Sequence, residues 1–128
     1  MLKFMVVIYK RPEMTPEQFR RHLEEIHGPL ATNLPGLRKY VQNYVCADPT
    51  RKPPGWDAVV ELYFDDWPTM EAAWASPQGA ASNADLPAFV DLTRTTWSAV
   101  DEVTVVKCRS RRNQFAVHRS FDSKLAIA

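Results

Sequence analysis

The sequence predicts an α+β fold in which strands and helices follow the order β-α-β-β-α-β. Three observations lead to this prediction. The 128 residues are enough for one hydrophobic core. Four short segments alternate in side-chain direction with at least one apolar face, as strands do. Two segments between them begin with a capping residue followed by a proline, as helices do. We therefore expect one domain over residues 1–106 and a separate tail over residues 107–128.

The first strand and the first helix occupy the start of the chain. Residues 2–10 are largely apolar on both alternating faces, which predicts a strand covered on both sides. Thr15 is the predicted N-cap of the helix, with Pro16 at its first position and Gln18 completing a capping box. The predicted apolar stripe consists of Phe19, Leu23, Ile26 and Leu30. We expect the helix to end at His27-Gly28-Pro29, because glycine suits a left-handed terminal residue and proline cannot continue the ladder.

The rest of the domain supplies three strands and a second helical layer. Residues 37–46 and 57–64 read as strands on either side of a proline-rich loop. Asp65-Asp66 opens a helix, and Ser76-Pro77 opens a further, broken helical segment. The apolar side of the second helix is predicted to hold Trp67, Met70 and Trp74. Residues 97–106 complete a ferredoxin-like, four-stranded antiparallel sheet with its helices on one face.

The other face of this sheet has no helix to cover it, although it carries Val, Tyr and Met side chains. A second copy of the same sheet, related by a two-fold axis, would bury such a surface. We therefore expect a homodimer formed through the sheet faces. Residues 107–128 hold six Lys and Arg. They are predicted to pack as a basic arm on the mildly acidic body of their own or the partner subunit.

Composition and motifs argue against several classes of function. An acidic body is unlike a nucleic-acid-binding domain. The longest apolar run, residues 4–9, is far shorter than the roughly 20 residues that span a membrane. Cys46 and Cys108 lack metal-binding spacing and follow no secretory signal, so we expect free thiols and a cytoplasmic location. With only four glycines a phosphate cradle is not expected, and we predict no metal or other cofactor.

His27 is the candidate catalytic residue. At the predicted end of the first helix, the macrodipole would favour its imidazolium, and partial burial would tune its titration near neutral pH. It could therefore transfer a proton, or it could cap the helix by bonding a terminal carbonyl. The predicted ligand contacts are Tyr40, Tyr44, Tyr9 and Trp74. Such rings either pack in a core or form a pocket for a flat apolar molecule.

Other polar residues receive structural interpretations. His22 precedes His27 by five residues, about 140° around an α-helix, so we expect it on the surface and not sharing a metal ion. Asp85 is predicted to be an N-cap and Cys46 a small buried side chain. Asp57 and Glu61 would lie about 13 Å apart along one strand, too far for a paired-carboxylate mechanism. We expect both to form hydrogen bonds or ion pairs at the dimer interface.

Several motifs taken together resemble the EthD family of the dimeric α+β barrel superfamily. They are Lys10-Arg11-Pro12, Met14-Thr15-Pro16-Glu17-Gln18-Phe19, His27-Gly28-Pro29-Leu30, Pro35-Gly36-Leu37 and Tyr40. The resemblance covers about residues 2–106. It implies functional roles for His27 and Tyr40, and action without metal or flavin on small cyclic or aromatic molecules. Relatives include methylmuconolactone methylisomerases, which carry a third-strand cysteine where this chain has Leu62.

Three functions remain open from the sequence. The first is a cofactor-independent catabolic isomerase or lyase acting on a small cyclic, aromatic or oxygenated compound. In it His27 would transfer a proton, while Tyr40 and Tyr44 would orient the substrate. The second is a non-catalytic ligand-binding or accessory protein for an oxygenase pathway such as ether degradation. The third is haem handling, because other dimeric α+β barrels use one histidine as a haem ligand.

Overall fold

A computed structural model describes residues 1–52 and 54–111 of the chain. The strands are β1 (Leu2–Ile8), β2 (Lys39–Tyr44), β3 (Ala58–Phe64) and β4 (Thr96–Val100). The α-helices are α1 (Pro16–Arg21), α2 (Gly28–Thr32), α3 (Trp67–Ala75) and α4 (Pro77–Asp85). A π-helical segment (His22–His27) joins α1 to α2, and a 3₁₀ turn (Leu86–Ala88) follows α4.

The four strands form one antiparallel sheet in the order β2-β3-β1-β4. Its register pairs Phe4 with Leu62 of β3 and with Ala99 of β4. This is the predicted ferredoxin-like α+β fold. The predicted last strand over residues 97–106 is wrong in its second half, because β4 ends at Val100. Beyond it Val103 and Val105 are 78% and 88% exposed. The alternating pattern continues there, but these residues do not pair with β1.

The hydrophobic core lies between one face of the sheet and the helices. Phe64, Leu23, Met70 and Phe89 are its largest fully buried side chains. On the opposite face of the sheet, no helix is found among the described residues. On it Lys3 is buried by ion pairs with Glu61 of β3 and Glu102 after β4. The apolar side chains that share this open face are Met5, Val7, Val41 and Val59.

The first helix continues past its predicted end. Gly28 has a φ of −52°, in the right-handed region, so the expected left-handed termination does not occur. Pro29 occupies the second position of α2, directly after the π turn, and the helix continues through it. The lengthened π turn also changes the buried face: Ile26 is 50% exposed, whereas His27 is buried. His27 therefore lies inside a continuous helical run and not at its C-terminus.

The capping predictions for the starts of α1, α3 and α4 agree with the structure. The Thr15 and Gln18 capping box is present, and the Asp66 and Ser76 side chains accept hydrogen bonds from the first turns of α3 and α4. Trp67 is an exception to the predicted apolar side of α3, since it is 55% exposed while Met70 is buried. The Ser76 cap fixes where α4 begins, and therefore the position of its last residue, Asp85.

The structure describes only the first five residues of the predicted basic arm. Residues 107–111 are exposed, and residues 112–128 lie outside the described part of the chain. The packing of this arm on its own or a partner subunit therefore stays a prediction. None of the helices described is long and apolar enough to cross a membrane.

Candidate functional site

A cavity of about 260 Å³ lies between the sheet and the helical layer. Its floor is formed by β1 and β3 side chains, including Val6, Val60 and Leu62. Trp74 of α3 and Trp97 of β4 supply large aromatic walls. Because Trp97 pairs with Val6 in the register of the sheet, it projects on the helix-covered face beside the cavity. The space is therefore mainly apolar, with a few polar groups at defined positions.

His27 is the central polar group of this cavity. Its side chain is 9% exposed, and its Nδ1 lies 3.0 Å from Oδ2 of Asp85. Burial lowers the pKa of His27, and its hydrogen bond to the Asp85 carboxylate opposes that shift only in part. The imidazole is thus neutral at pH 7. Since an ionised carboxylate can only accept, Nδ1 carries the proton and Nε2 has a lone pair. No described residue bonds Nε2.

Asp85 holds a second histidine as well. His22 Nε2 lies 3.0 Å from both carboxylate oxygens, and the His22 ring stacks on Phe89 at 4.4 Å. The prediction of a surface His22 is therefore wrong. Asp85 occupies the predicted N-cap position, before the 3₁₀ turn, but its side chain bonds the two histidines and not the turn. In a π-helix the hydrogen bond joins residues five apart, so His22 and His27 lie over one another. That geometry brings both rings to one carboxylate.

Asp85 makes no side-chain capping bond to the 3₁₀ turn that follows it. Within the described residues, no group of three or more His, Cys, Asp or Glu is arranged to hold a metal ion. The ring nitrogens that face Asp85 are instead engaged in hydrogen bonds. This cluster is therefore an orienting device for His27, comparable to the carboxylate that fixes the tautomer of a general-base histidine.

Tyr40 approaches the cavity from β2. Its hydroxyl oxygen accepts a hydrogen bond from Gln42 Nε2 at 3.1 Å, which leaves its own proton available to another acceptor. Burial raises the pKa of Tyr40, so the phenol is protonated at neutral pH. Gln42 Nε2 also donates to the carbonyl of Leu23 at 3.0 Å, inside the π-helical segment. Gln42 therefore links the Tyr40 hydroxyl to the turn that carries His27.

Three of the five predicted site residues meet at this cavity: His27, Tyr40 and Trp74. Tyr44 lies instead along a separate surface groove beside the start of α1, with the Arg20 guanidinium 4.4 Å from its ring centre. It shares a strand face with Tyr40, but it lies four residues further along β2. Tyr9 is also outside the cavity, because alternation places it opposite Ile8, and Arg94 stacks on its ring at 4.1 Å.

The other singled-out polar residues lie elsewhere. Cys46 is exposed in the groove beside Tyr44, so its predicted burial is wrong; β2 ends at Tyr44, before the strand can carry it into the core. Asp57 accepts a hydrogen bond from the Lys10 backbone N–H at 2.8 Å. Glu61 pairs with Lys3 on the open face of the sheet. None of the three lines the His27 cavity.

Sequence reasoning missed several groups that line the cavity. Trp97 could have been assigned from its alternation with the apolar residues of its strand. Ser82 and Asn83 of α4 and Thr95 before β4 carried no such signal, because their role depends on how α4 docks. His22 and Asp85 were missed because nothing in the sequence marks the π turn.

Comparison with known proteins supports a common fold and family. The EthD domain matches residues 11–93. A relative described as an uncharacterized 11.0 kDa protein in the thcB-thcC intergenic region of Rhodococcus erythropolis is 28% identical over 102 residues. The match covers 80% of this chain and 96% of the relative. An EthD family protein from Bacillus halodurans superposes with a TM-score of 0.68 and 25% identity, covering 80% of this chain and all of that one.

Two more distant structures share the fold. A dimeric ferredoxin-like protein of unknown function from Thermobifida fusca matches with a TM-score of 0.59 and 16% identity, covering 79% of this chain and 90% of that one. A variant of SnoaB, a cofactor-independent oxygenase from Streptomyces nogalater, matches with a TM-score of 0.58 and 13% identity, over 83% and 97% of the two chains. At these identities the likeness concerns the fold alone.

Proposed function

This chain belongs to the EthD domain family, and on that premise we propose that it acts on a small cyclic, aromatic or oxygenated organic compound. The reaction is a cofactor-independent isomerisation or elimination in which His27 transfers a proton. The observation that carries this proposal is the buried imidazole of His27 in the apolar cavity. Its Nδ1 is held by Asp85, and its Nε2 has no partner among the described residues.

The chemistry follows from this arrangement. His27 Nε2 removes a proton from a substrate C–H or O–H, and the electron pair stays on the substrate as an enolate or phenolate. The Asp85 carboxylate stabilises the imidazolium that forms. The Tyr40 hydroxyl donates a hydrogen bond to the oxygen where negative charge develops. Returning the proton to a different atom of the substrate completes an isomerisation, and loss of a leaving group completes an elimination.

A residue of the third strand argues against one reaction that the family resemblance implies. The methylmuconolactone methylisomerases carry a third-strand cysteine, whereas Leu62 occupies that position here and is buried in the cavity wall. A mechanism that needs that thiol does not fit this chain.

The test compares wild type with His27→Gln on a panel of small lactones, phenols and cyclic ketones. Glutamine keeps similar bulk and can still bond Asp85, but it cannot accept a proton. Turnover is expected to fall about 10²–10⁴-fold, with ligand-induced thermal shifts retained. His22→Gln, on the same carboxylate but outside the cavity lining, is the matched control and should lose less. Equal turnover by wild type and His27→Gln would refute the role of His27.

Binding by both proteins without turnover in either would point to the alternative, a non-catalytic ligand-binding or accessory protein. In that case Nε2 would serve as a hydrogen-bond acceptor for the ligand and not as a base.

A further inference from the structure

We propose that the His27 cavity takes its ligand in an uncharged form and discriminates against carboxylates. The ligand class is a flat, neutral, hydroxyl-bearing ring compound, such as a phenol or the enol of a cyclic ketone. This inference rests on the proposed function, because it specifies the molecule from which His27 takes a proton. It comes from three features of the cavity: the charges around it, its hydrogen-bonding groups, and its shape.

The charge of the cavity wall is the first feature. Among the described residues that line it, none is Lys, Arg, Asp or Glu. Asp85 stands behind His27, and both its oxygens already accept hydrogen bonds from imidazole nitrogens. A carboxylate entering this space would lose its hydration without gaining a cationic partner. A neutral hydroxyl or carbonyl pays a much smaller desolvation cost.

The polar groups of the wall match a neutral hydroxyl compound. His27 Nε2 is an acceptor, and the Tyr40 hydroxyl has a proton to donate. Thr95 Oγ1 accepts from the Tyr9 backbone N–H at 3.1 Å, so its own proton can also be donated. A phenol or enol O–H would therefore donate a hydrogen bond to Nε2, while a second oxygen of the ligand would accept one from a hydroxyl of the wall.

The shape of the cavity limits the ligand to a small flat molecule. A volume of about 260 Å³ is just below the roughly 300–1,000 Å³ of sites for drug-sized ligands. The Trp74 ring is fixed by contacts at 5.3 Å with Phe4 and 5.9 Å with Phe64, between ring centres. A rigid aromatic wall of this kind favours contact with a planar ring.

The experiment uses a matched pair of probes, 4-hydroxyacetophenone and 4-hydroxybenzoate. They have similar size and the same phenol, but only the second carries a carboxylate at neutral pH. Binding to the full chain is measured by calorimetric titration. We expect 4-hydroxyacetophenone to bind at least about tenfold more tightly, a factor typical of leaving one buried polar group uncompensated.

A charge added at the cavity rim should reverse this preference. Asn83 lines the cavity from α4 and is exposed, so Asn83→Lys can be accommodated and would place an ammonium group at the rim. We expect this variant to gain affinity for 4-hydroxybenzoate. Ala81→Lys adds the same charge at an exposed position of the same helix outside the cavity lining, and it should leave the preference unchanged.

The outcomes separate this inference from the proposed function. Equal or tighter binding of 4-hydroxybenzoate by wild type overturns the inference, even if His27-dependent turnover of other compounds is found. The same gain from Ala81→Lys as from Asn83→Lys also overturns it, because the effect would then not arise in the cavity. Selective binding of the neutral probe supports the inference, even if no compound is turned over and the catalytic proposal fails. Absence of binding by both probes overturns the inference.

Discussion

At the scale of single residues, the protonation of His27 is set by two opposing effects. Burial favours the neutral ring, and the Asp85 carboxylate favours the imidazolium; burial is the larger effect. A buried histidine that is neutral in the folded state must gain a proton on unfolding at low pH. The protonation of His27 therefore affects the pH dependence of the free energy of unfolding, which can be measured without a known substrate.

We therefore predict that acid destabilises the fold through His27. Because its pKa in the folded state lies below the ordinary value of about 6.5, the unfolded chain binds more protons below that pH. The free energy of unfolding should fall by up to about 1.4 kcal/mol per pH unit as the pH drops below 6.5, until the folded-state pKa is reached. Urea denaturation at a series of pH values measures this slope. His27→Gln should flatten it, and an unchanged slope would contradict the prediction.

The sequence predicted some of the site's residues and missed others for a definable reason. His27 was singled out from its place at the predicted helix end and Tyr40 from its place on the second strand, and the family resemblance marks both. Trp74 was singled out because helical spacing placed it on the apolar side of its helix. The partners of His27 could not be found in this way. An α-helical spacing separates His22 from His27 by about 140°, and only the π-helical hydrogen bonds bring them together on Asp85.

At the scale of elements, the π-helical segment is held from the sheet side. The Leu23 carbonyl accepts from the Gly28 N–H within the segment and from Gln42 Nε2 of β2. The Gln42 amide is itself oriented by the Tyr44 hydroxyl, which donates to Gln42 Oε1 at 2.7 Å. Strand β2 therefore supports the turn that presents His27, and Gln42 acts as a positioning residue.

We predict that Gln42→Leu lowers His27-dependent turnover by about tenfold or more while the protein stays folded. Leucine fills a similar space but cannot bond the Leu23 carbonyl or the Tyr40 hydroxyl, and small displacements at a reacting group are costly. NMR titration of His27 should show an altered pKa, which is a readout independent of turnover. Tyr44→Phe removes only the bond that orients the amide and should have a smaller effect. Equal effects of the two substitutions would argue against this role for Gln42.

The junction of α3 and α4 depends on a glycine. A Cβ at Gly79 would lie 2.4 Å from the Ala73 carbonyl oxygen and 2.5 Å from that of Trp74. We predict that Gly79→Ala destabilises the fold by about 1–3 kcal/mol, although alanine normally favours a helix by up to about 1 kcal/mol over glycine. Urea denaturation measures the change, with Gln78→Ala as an exposed control on the same turn. A stabilised Gly79→Ala protein would show that the two helices can separate without cost.

The helix starts were predictable because capping is local: Thr15, Asp66 and Ser76 each bond backbone within three residues. The helix and strand ends were harder to predict. The first helix passes through Gly28-Pro29 because tertiary contacts from Gln42 support the turn, and β4 stops at Val100 despite the alternation that follows. Both outcomes depend on residues distant in sequence, which local patterns do not report.

At the scale of the whole molecule, the open face of the sheet is an exposed, partly apolar surface that a protein partner could bury. It combines Met5, Val7 and Val59 with the Lys3–Glu61–Glu102 ion pairs, and proteins of the same fold are described as dimeric. Alternation along the strands was enough to predict which face is open. Alternation could not identify the partner, since it reports which side chains share a face and not what binds to that face.

We predict that wild type is a homodimer and that Val7→Glu is a monomer. Val7 lies opposite Val59 and Thr96 at the centre of the open face, so a carboxylate there would be buried without a partner in a sheet-to-sheet dimer. Light scattering coupled to size-exclusion chromatography gives the mass, and circular dichroism checks folding. Ala72→Glu, exposed on α3, adds the same charge on the other side of the molecule and should remain dimeric. A dimer that survives Val7→Glu but not Ala72→Glu would place the interface on the helices, and the open face would then remain in contact with solvent.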